Sequence, residues 1–328
     1  MRPTSCTSQK CGCNSTGEDQ TGIHNSAVET SLCQVSEQFP RSSTEYEWMK
    51  TALVTGAASG IGRATAERLV NNGWQVYATD IDTDGLETIK GCVTETVDVT
   101  DTADIEQLRS QIADDVGGLD CVVANAGLAQ LGPVADMPSE HLEAQFDVNV
   151  HGVHRTVRAM VPLLVEREGT AVIVSSTHGR ITTPGMGAYA ASKHALEALV
   201  ETLRMEIADI GVDVAIIEPA WVTTAFADTA QQRFHKADRS EYFNDVYDAM
   251  AEGTLIGGRG PLAVTPERVA KQIHAVAMTE DPALRHPVGW PARLVLATRW
   301  LPQPAQSLGH RTAIKAFAAF HRLRTHFK

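Results

Sequence analysis

The segment Tyr189-Ala190-Ala191-Ser192-Lys193 sets a phenol and an ammonium four residues apart. On a helix, positions i and i+4 share a face, so both side chains point the same way. A phenol with its ordinary pKa near 10 is a poor base at neutral pH. A neighbouring ammonium favours the phenolate and brings proton transfer within reach. Ser176 stands 13 residues before Tyr189, just after an apolar run. Its hydroxyl could donate a hydrogen bond to an oxygen that gathers negative charge. By itself a Tyr and a Lys at this spacing is ordinary helix surface, so the elements that would position them decide the matter.

A second constellation lies earlier, at Thr55-Gly56-Ala57-Ala58-Ser59-Gly60-Ile61-Gly62. A strand that turns sharply into a helix through small residues lets backbone approach a pyrophosphate. The helix N-terminus then offers free N–H groups and partial positive charge to the anion. Gly56, Gly60 and Gly62 are the expected close-approach positions, with Ser59 and Ile61 between them. Such a loop is weak evidence alone and gains weight from its place between a first strand and a first helix. Further on, the run Val76-Tyr77-Ala78-Thr79 ends in Asp80. A carboxylate there can accept hydrogen bonds from adenosine ribose hydroxyls and would repel a 2′-phosphate. Ile81 follows where an Arg would pair with that phosphate, so these residues favour NAD over NADP. Asp80 could equally cap a helix that starts near Asp82.

The elements that must hold these groups are legible from residue 51 onward. Short β-branched runs alternate with segments of helical period, as in repeated βαβ units on a parallel sheet. Strands are predicted at 51–55, 75–79, 94–97, 119–124, 170–175 and 212–218, with helices at 60–71, 102–114, 139–166 and 188–209. Ala171-Val172-Ile173-Val174 is apolar on both faces and needs helices on both sides. The expected fold is therefore α/β, a doubly wound parallel sheet of Rossmann type. Residues 49–281 form the expected single domain.

The two ends read differently. Residues 1–48 are rich in Ser, Thr, Gln and Glu without hydrophobic period, and are expected to be a disordered extension. Met49 directly precedes the first strand and is a candidate start of the functional chain. After Asp281 the chain holds no acidic residue but eight Lys or Arg, four His, and Trp290, Trp300, Phe317, Phe320 and Phe327. This basic aromatic tail, 282–328, suits contact with a membrane surface, and equally with the acidic body or another copy of the chain.

Bulk composition narrows the classes. The 328 residues are 43% apolar and 21% charged, ordinary for a globular protein. The formal charge of −12 argues against nucleic acid as a partner, since phosphate backbones need a cationic surface. No apolar run approaches the roughly 20 residues that span a bilayer, and no secretory signal is expected. Four of six cysteines (Cys6, Cys11, Cys13 and Cys33) crowd into the first 33 residues, so the body reads as reduced and cytoplasmic. No further ligands follow Cys11 and Cys13 at zinc spacing, so no metal is expected. Eight Lys among 28 basic residues, with acids in excess, hint at a surface suited to high salt.

From about Lys50 to Thr279 the sequence resembles the classical short-chain dehydrogenase/reductase family, most closely its haloarchaeal oxidoreductases. The resemblance is carried by Thr55 to Gly62, Asp80, Asp98-Val99, Asn125-Ala126-Gly127, Asn149, Ser176, Tyr189 with Lys193, and Pro219 to Thr223, in the family's order and spacing. It implies that Tyr189 is the general acid/base and that Lys193 lowers its pKa and holds the nicotinamide ribose. Ser176 would orient the substrate oxygen, and Asn149 would anchor a water that relays protons to Lys193. Asn149 could also be a buried amide serving backbone at a helix bend. Asp98 and Val99 would contact the adenine. Asn125, Ala126 and Gly127 would support the cofactor, and Pro219, Val222 and Thr223 would meet the nicotinamide. The resemblance further implies a homo-oligomer. Two departures stand out: Pro219-Ala220 where the family has Pro-Gly, and Ala124 where it has Asn.

Substrate contacts are expected from 177–187 and from an insert at 225–261, read as a mobile lid. Met186, Trp221 and Phe226 suggest an apolar pocket, hence a hydrophobic secondary alcohol or ketone. Three competing readings stay open: an NADPH-dependent carbonyl reductase, a non-catalytic dinucleotide sensor, and a peripheral membrane protein.

Overall fold

In the computed structural model, residues 49–236, 240–251 and 263–326 are described below. Seven strands form one parallel sheet in the order β3-β2-β1-β4-β5-β6-β7. They are β1 Thr51–Thr55, β2 Gln75–Asp80, β3 Val93–Thr96, β4 Cys121–Ala124, β5 Thr170–Val174, β6 Asp213–Pro219 and β7 Arg285–Val288. The helices between them are α1 Gly60–Val70, α2 Thr83–Glu87, α3 Thr102–Val116, α4 Ser139–Phe146, α5 Val153–Val165 and α6 Gly187–Glu206. After β6 come α7 Ala225–Lys236, α8 Asn244–Ala251 and α9 Pro266–Ala277, and after β7 come α10 Gly289–Ala297 and α11 Gln303–His326.

Neighbouring strand residues serve opposite faces, which is why the central strands are apolar throughout. On one face Leu53, Val122, Ile173 and Ile216 pack with Ile105 and Ile112 of α3, Met160 of α5 and Leu196 of α6. On the other, Val54, Val123, Val172 and Ile217 pack with Leu69 of α1 and Ile273 of α9. The doubly wound Rossmann-type sheet expected from the sequence is the fold observed. Its order reverses between β1 and β4, where a crevice opens beyond the strands' C-terminal ends.

The helix expected over 139–166 is interrupted. Between α4 and α5 the residues Asp147–Gly152 form a turn of π-helix, with Asn149 and Val150 buried in it. Such a bulge re-aims side chains and is common at functional sites.

The expected boundary at 281 is corrected. Arg285–Val288 pairs in parallel with β6, so the last segment supplies the sheet's edge strand. Arg-His-Pro-Val has no alternation to betray it, and its proline is tolerated only because an edge strand needs fewer ladder bonds. The last helix, α11, packs on α8 through Ile314, Ala318 and Ala249. Among the described residues no helix is long and apolar enough to cross a membrane. The extension expected at 1–48, and part of the expected lid, lie outside the described residues.

Candidate active site

The loop after β1 has the conformation its glycines allow. Gly56 and Gly60 take φ of +67° and +54°, where side chains are strained. Gly62 matters through closeness instead: a Cβ there would lie 2.0 Å from the Gly56 carbonyl oxygen. Ser59 holds the N-cap position of α1 but makes no capping side-chain hydrogen bond, and the first turn holds no acid. The helix start is thus open to an anion, as a pyrophosphate requires. Asn125 pins the loop by donating its amide to the carbonyls of Thr55 and Gly56, both at 3.0 Å.

Asp80 closes the loop from the neighbouring strand. Its carboxylate accepts from the Ala58 N–H at 3.0 Å and from the Asp82 N–H at 3.1 Å. It is Asp82, by accepting from the Gly85 N–H, that caps α2. Asp98 accepts from the Thr100 N–H and hydroxyl at 2.8 and 2.7 Å.

At the other end of the crevice, Ser176 follows β5, and Tyr189 and Lys193 lie on α6. The Ser176 hydroxyl donates to the Pro219 carbonyl at 3.4 Å and accepts from the His178 N–H at 3.2 Å. Lys193 Nζ donates to the Val174 carbonyl at 2.9 Å and stands 5.9 Å from the Tyr189 ring centroid. Burial pushes the Tyr189 phenol up to about 12, opposed by a hydrogen bond with Ser176. Burial likewise brings the Lys193 ammonium down to about 8, opposed by the Glu197 carboxylate. The expected lowering of the phenol by Lys193 is therefore overridden here, because desolvation disfavours both charged forms. In this state the Tyr189 hydroxyl keeps its proton.

One cavity of about 460 Å³ joins these regions. Its wall includes Gly56, Ser59, Gly60, Ile61, Asp80, Asp98, Val99, Asn125, Ala126 and Gly127 at the loop end. Toward the other end it includes Ser176, Tyr189, Lys193, Pro219 and Val222. Gly62, Asn149 and Thr223 are not in that wall. Gly62 lies beneath the loop. Asn149 accepts from the Leu128 N–H at 2.7 Å and donates to the Leu128 carbonyl and Ser192 hydroxyl at 2.9 and 3.1 Å. The Thr223 N–H turns to the Val264 carbonyl, and its neighbour Thr224 takes the wall position.

His178 falls within the segment 177–187 expected to meet substrate, although the sequence does not single it out. Its ring packs edge-on to Tyr189 at 5.9 Å, and its Nε2 lies 3.1 Å from the Thr183 hydroxyl. Burial lowers its pKa to about 4, helped by His194, so it is neutral. The one signal was its place two residues after Ser176. Phe226 lies on Tyr189 at 6.2 Å, and Leu131, Met186 and Ala230 complete an apolar end.

In sequence and fold the chain is similar to known oxidoreductases. A sequence model of the family described as short chain dehydrogenase matches residues 50–234. The uncharacterized oxidoreductase YbbO of Escherichia coli is 34% identical over 243 residues, covering 73% of this chain and 85% of that protein. The NADPH-dependent 3-dehydrocapnine reductase of Ornithobacterium rhinotracheale is 33% identical over 224 residues, covering 64% and 79%. A short chain dehydrogenase/reductase of Burkholderia phymatum, solved in complex with NAD, superposes with a TM-score of 0.67 at 25% identity, covering 80% and 95%. With a dinucleotide-binding fold and this breadth of similarity, the chain belongs to the short-chain dehydrogenase family of oxidoreductases.

Proposed function

We propose that this oxidoreductase interconverts a hydrophobic secondary alcohol and its ketone with NAD(H), using Tyr189, Ser176 and Lys193. One observation carries the reading: all three residues share a single cavity with the glycine loop and Asp80. The residues present fit a dinucleotide, because the loop leaves no room for a Cβ at Gly56 or Gly62 and α1 begins uncapped. Bound there, the cofactor supplies or accepts the hydride.

The protein's own groups handle the oxygen. For reduction, the protonated Tyr189 hydroxyl donates its proton to the carbonyl oxygen as charge builds there, and Ser176 donates a hydrogen bond to the same oxygen. For oxidation the phenol must first lose its proton, which the Lys193 ammonium favours. Asn149 acts through position in this reading: its amide holds the Leu128 backbone at the cavity's edge. The apolar end formed by Leu131, Met186, Phe226 and Ala230 excludes water and selects an apolar substrate.

NAD is preferred over NADP because Asp80 stands in the wall and, among the described residues, Lys193 is the wall's one Lys or Arg. A 2′-phosphate would meet a carboxylate without a compensating cation. The experiment is a screen of hydrophobic secondary alcohols and ketones, following absorbance of the reduced cofactor. Turnover with NADH is expected to exceed that with NADPH, and Asp80→Ala should narrow the ratio by about tenfold or more, the loss of roughly 1.4 kcal/mol of discrimination. A parent protein that prefers NADPH would instead be read as a carbonyl reductase, sharing its cofactor with the NADPH-dependent Ornithobacterium relative.

A further inference from the structure

Outside the cavity wall, a cluster of charged side chains binds together the elements that carry the acid/base residues. Glu197 lies on α6, one turn beyond Lys193, with its side chain 5% exposed. One of its carboxylate oxygens accepts from the Ser175 hydroxyl at 2.9 Å, and the other pairs with Arg285 of β7. Arg285 also pairs with Glu201 on α6 and lies 3.6 Å from Glu218 of β6, whose side chain is fully buried. Arg180, just past the turn that carries Ser176, reaches the same Glu218 oxygen at 3.4 Å. Gly179 makes the room: a Cβ there would lie 2.5 Å from the Glu197 carboxylate.

A buried ion network is an expensive way to hold a fold, since apolar side chains of similar volume often serve as well. Its location indicates what the expense accomplishes. Ser175 adjoins Ser176, and Glu197 shares a helix face with Tyr189 and Lys193. We propose that Glu197 is a positioning residue for the reaction. Its carboxylate locks the Ser176 turn to the helix bearing Tyr189 and Lys193, and Arg285 of the edge strand holds that carboxylate in place. Glu197 also supplies the negative charge that keeps Lys193 protonated against burial. Lys193 is otherwise faced by the Val174 carbonyl and the Tyr189 ring, and Glu197 by Ser175, Arg285 and the like charge of Glu218, while Glu201 and Arg180 join the same cluster through Arg285 and Glu218. This inference rests on the roles proposed above for Ser176, Tyr189 and Lys193.

Glu197→Gln tests it, because the amide keeps the shape and can still bond Ser175 while the charge is gone. Dinucleotide binding, read by fluorescence, should stay within about twofold, while kcat falls by about 10- to 100-fold, as for small misplacements of reacting groups. The alkaline loss of activity should move down by about one pH unit. Ser175→Ala removes the tether but leaves the charge, so it should lower kcat without moving the pH profile. Should Glu197→Gln lower only the melting temperature, leaving kcat and the pH profile unchanged, the proposal is overturned. The titration of Lys193, followed by 13C NMR of its ε-carbon in lysine-labelled protein, needs no turnover. It therefore separates failure of this proposal from failure of the reaction assigned above. A lower midpoint in Glu197→Gln supports the coupling, and equal midpoints refute it.

Discussion

The two ends of the cavity are built by different means. The cofactor end is made of backbone: positive φ at Gly56 and Gly60, a helix start without a cap, and a carboxylate whose oxygens are tied to loop N–H groups. The apolar end is made of side chains from distant segments. There Leu131, Met186, Phe234, Tyr247 and Met250 form a small apolar cluster under α7 and α8, and Tyr247 donates to Asp136 at 2.6 Å. Backbone demands specific residue types at fixed spacing, whereas apolar packing accepts many combinations. The first end therefore restricts residue type position by position, and the second restricts mainly volume and polarity.

Substitutions can break this comparison in order of expected effect. Tyr189→Phe removes the donor and should lower kcat by about 100- to 10,000-fold while NAD binding, measured by calorimetry, stays within about twofold. A variant that also loses binding would mean that the two ends are not separable. Gly62→Ala is the reverse case. Its Cβ would meet the Gly56 carbonyl at 2.0 Å, so dinucleotide affinity should fall about tenfold or more, with the strain typical of overpacking. Unchanged affinity would show the loop to be softer than it looks.

The smallest effect concerns pH. His178 is held neutral, its pKa lowered by burial from 6.5 to about 4. A base with a depressed folded-state pKa takes up its proton in the unfolded chain first, so its stabilising contribution is complete above 6.5 and is lost as pH falls toward 4. The melting temperature should drop across that window by a few degrees more in the parent than in His178→Asn. Parallel curves would mean that another group sets acid stability.

The same contrast explains what the residues disclosed in advance. β1 was found to the residue because Thr51-Ala52-Leu53-Val54-Thr55 is buried throughout and bounded by glycine. The four central connections followed from alternating strand and helix patterns. β7 escaped because its four residues include a proline and a histidine and are mostly half-buried, so neither alternation nor a long apolar run marks them. The spacing of Tyr189 and Lys193 is plain in the sequence, yet the pairing of Glu197 with Arg285 is not, since 88 residues separate them and single charges carry no period. Thr223 is expected at the nicotinamide, and it is the next residue, Thr224, that lines the cavity.

The packing of α11 reaches further than its place at the chain's end suggests. It braces α8 at Ala249, and the next residue, Met250, lies so tightly on Gly185 that a Cβ there would overlap its sulfur. Met186, beside Gly185, lines the apolar end. A change in the last helix can thus reach the cavity wall at Met186 through two layers of contact.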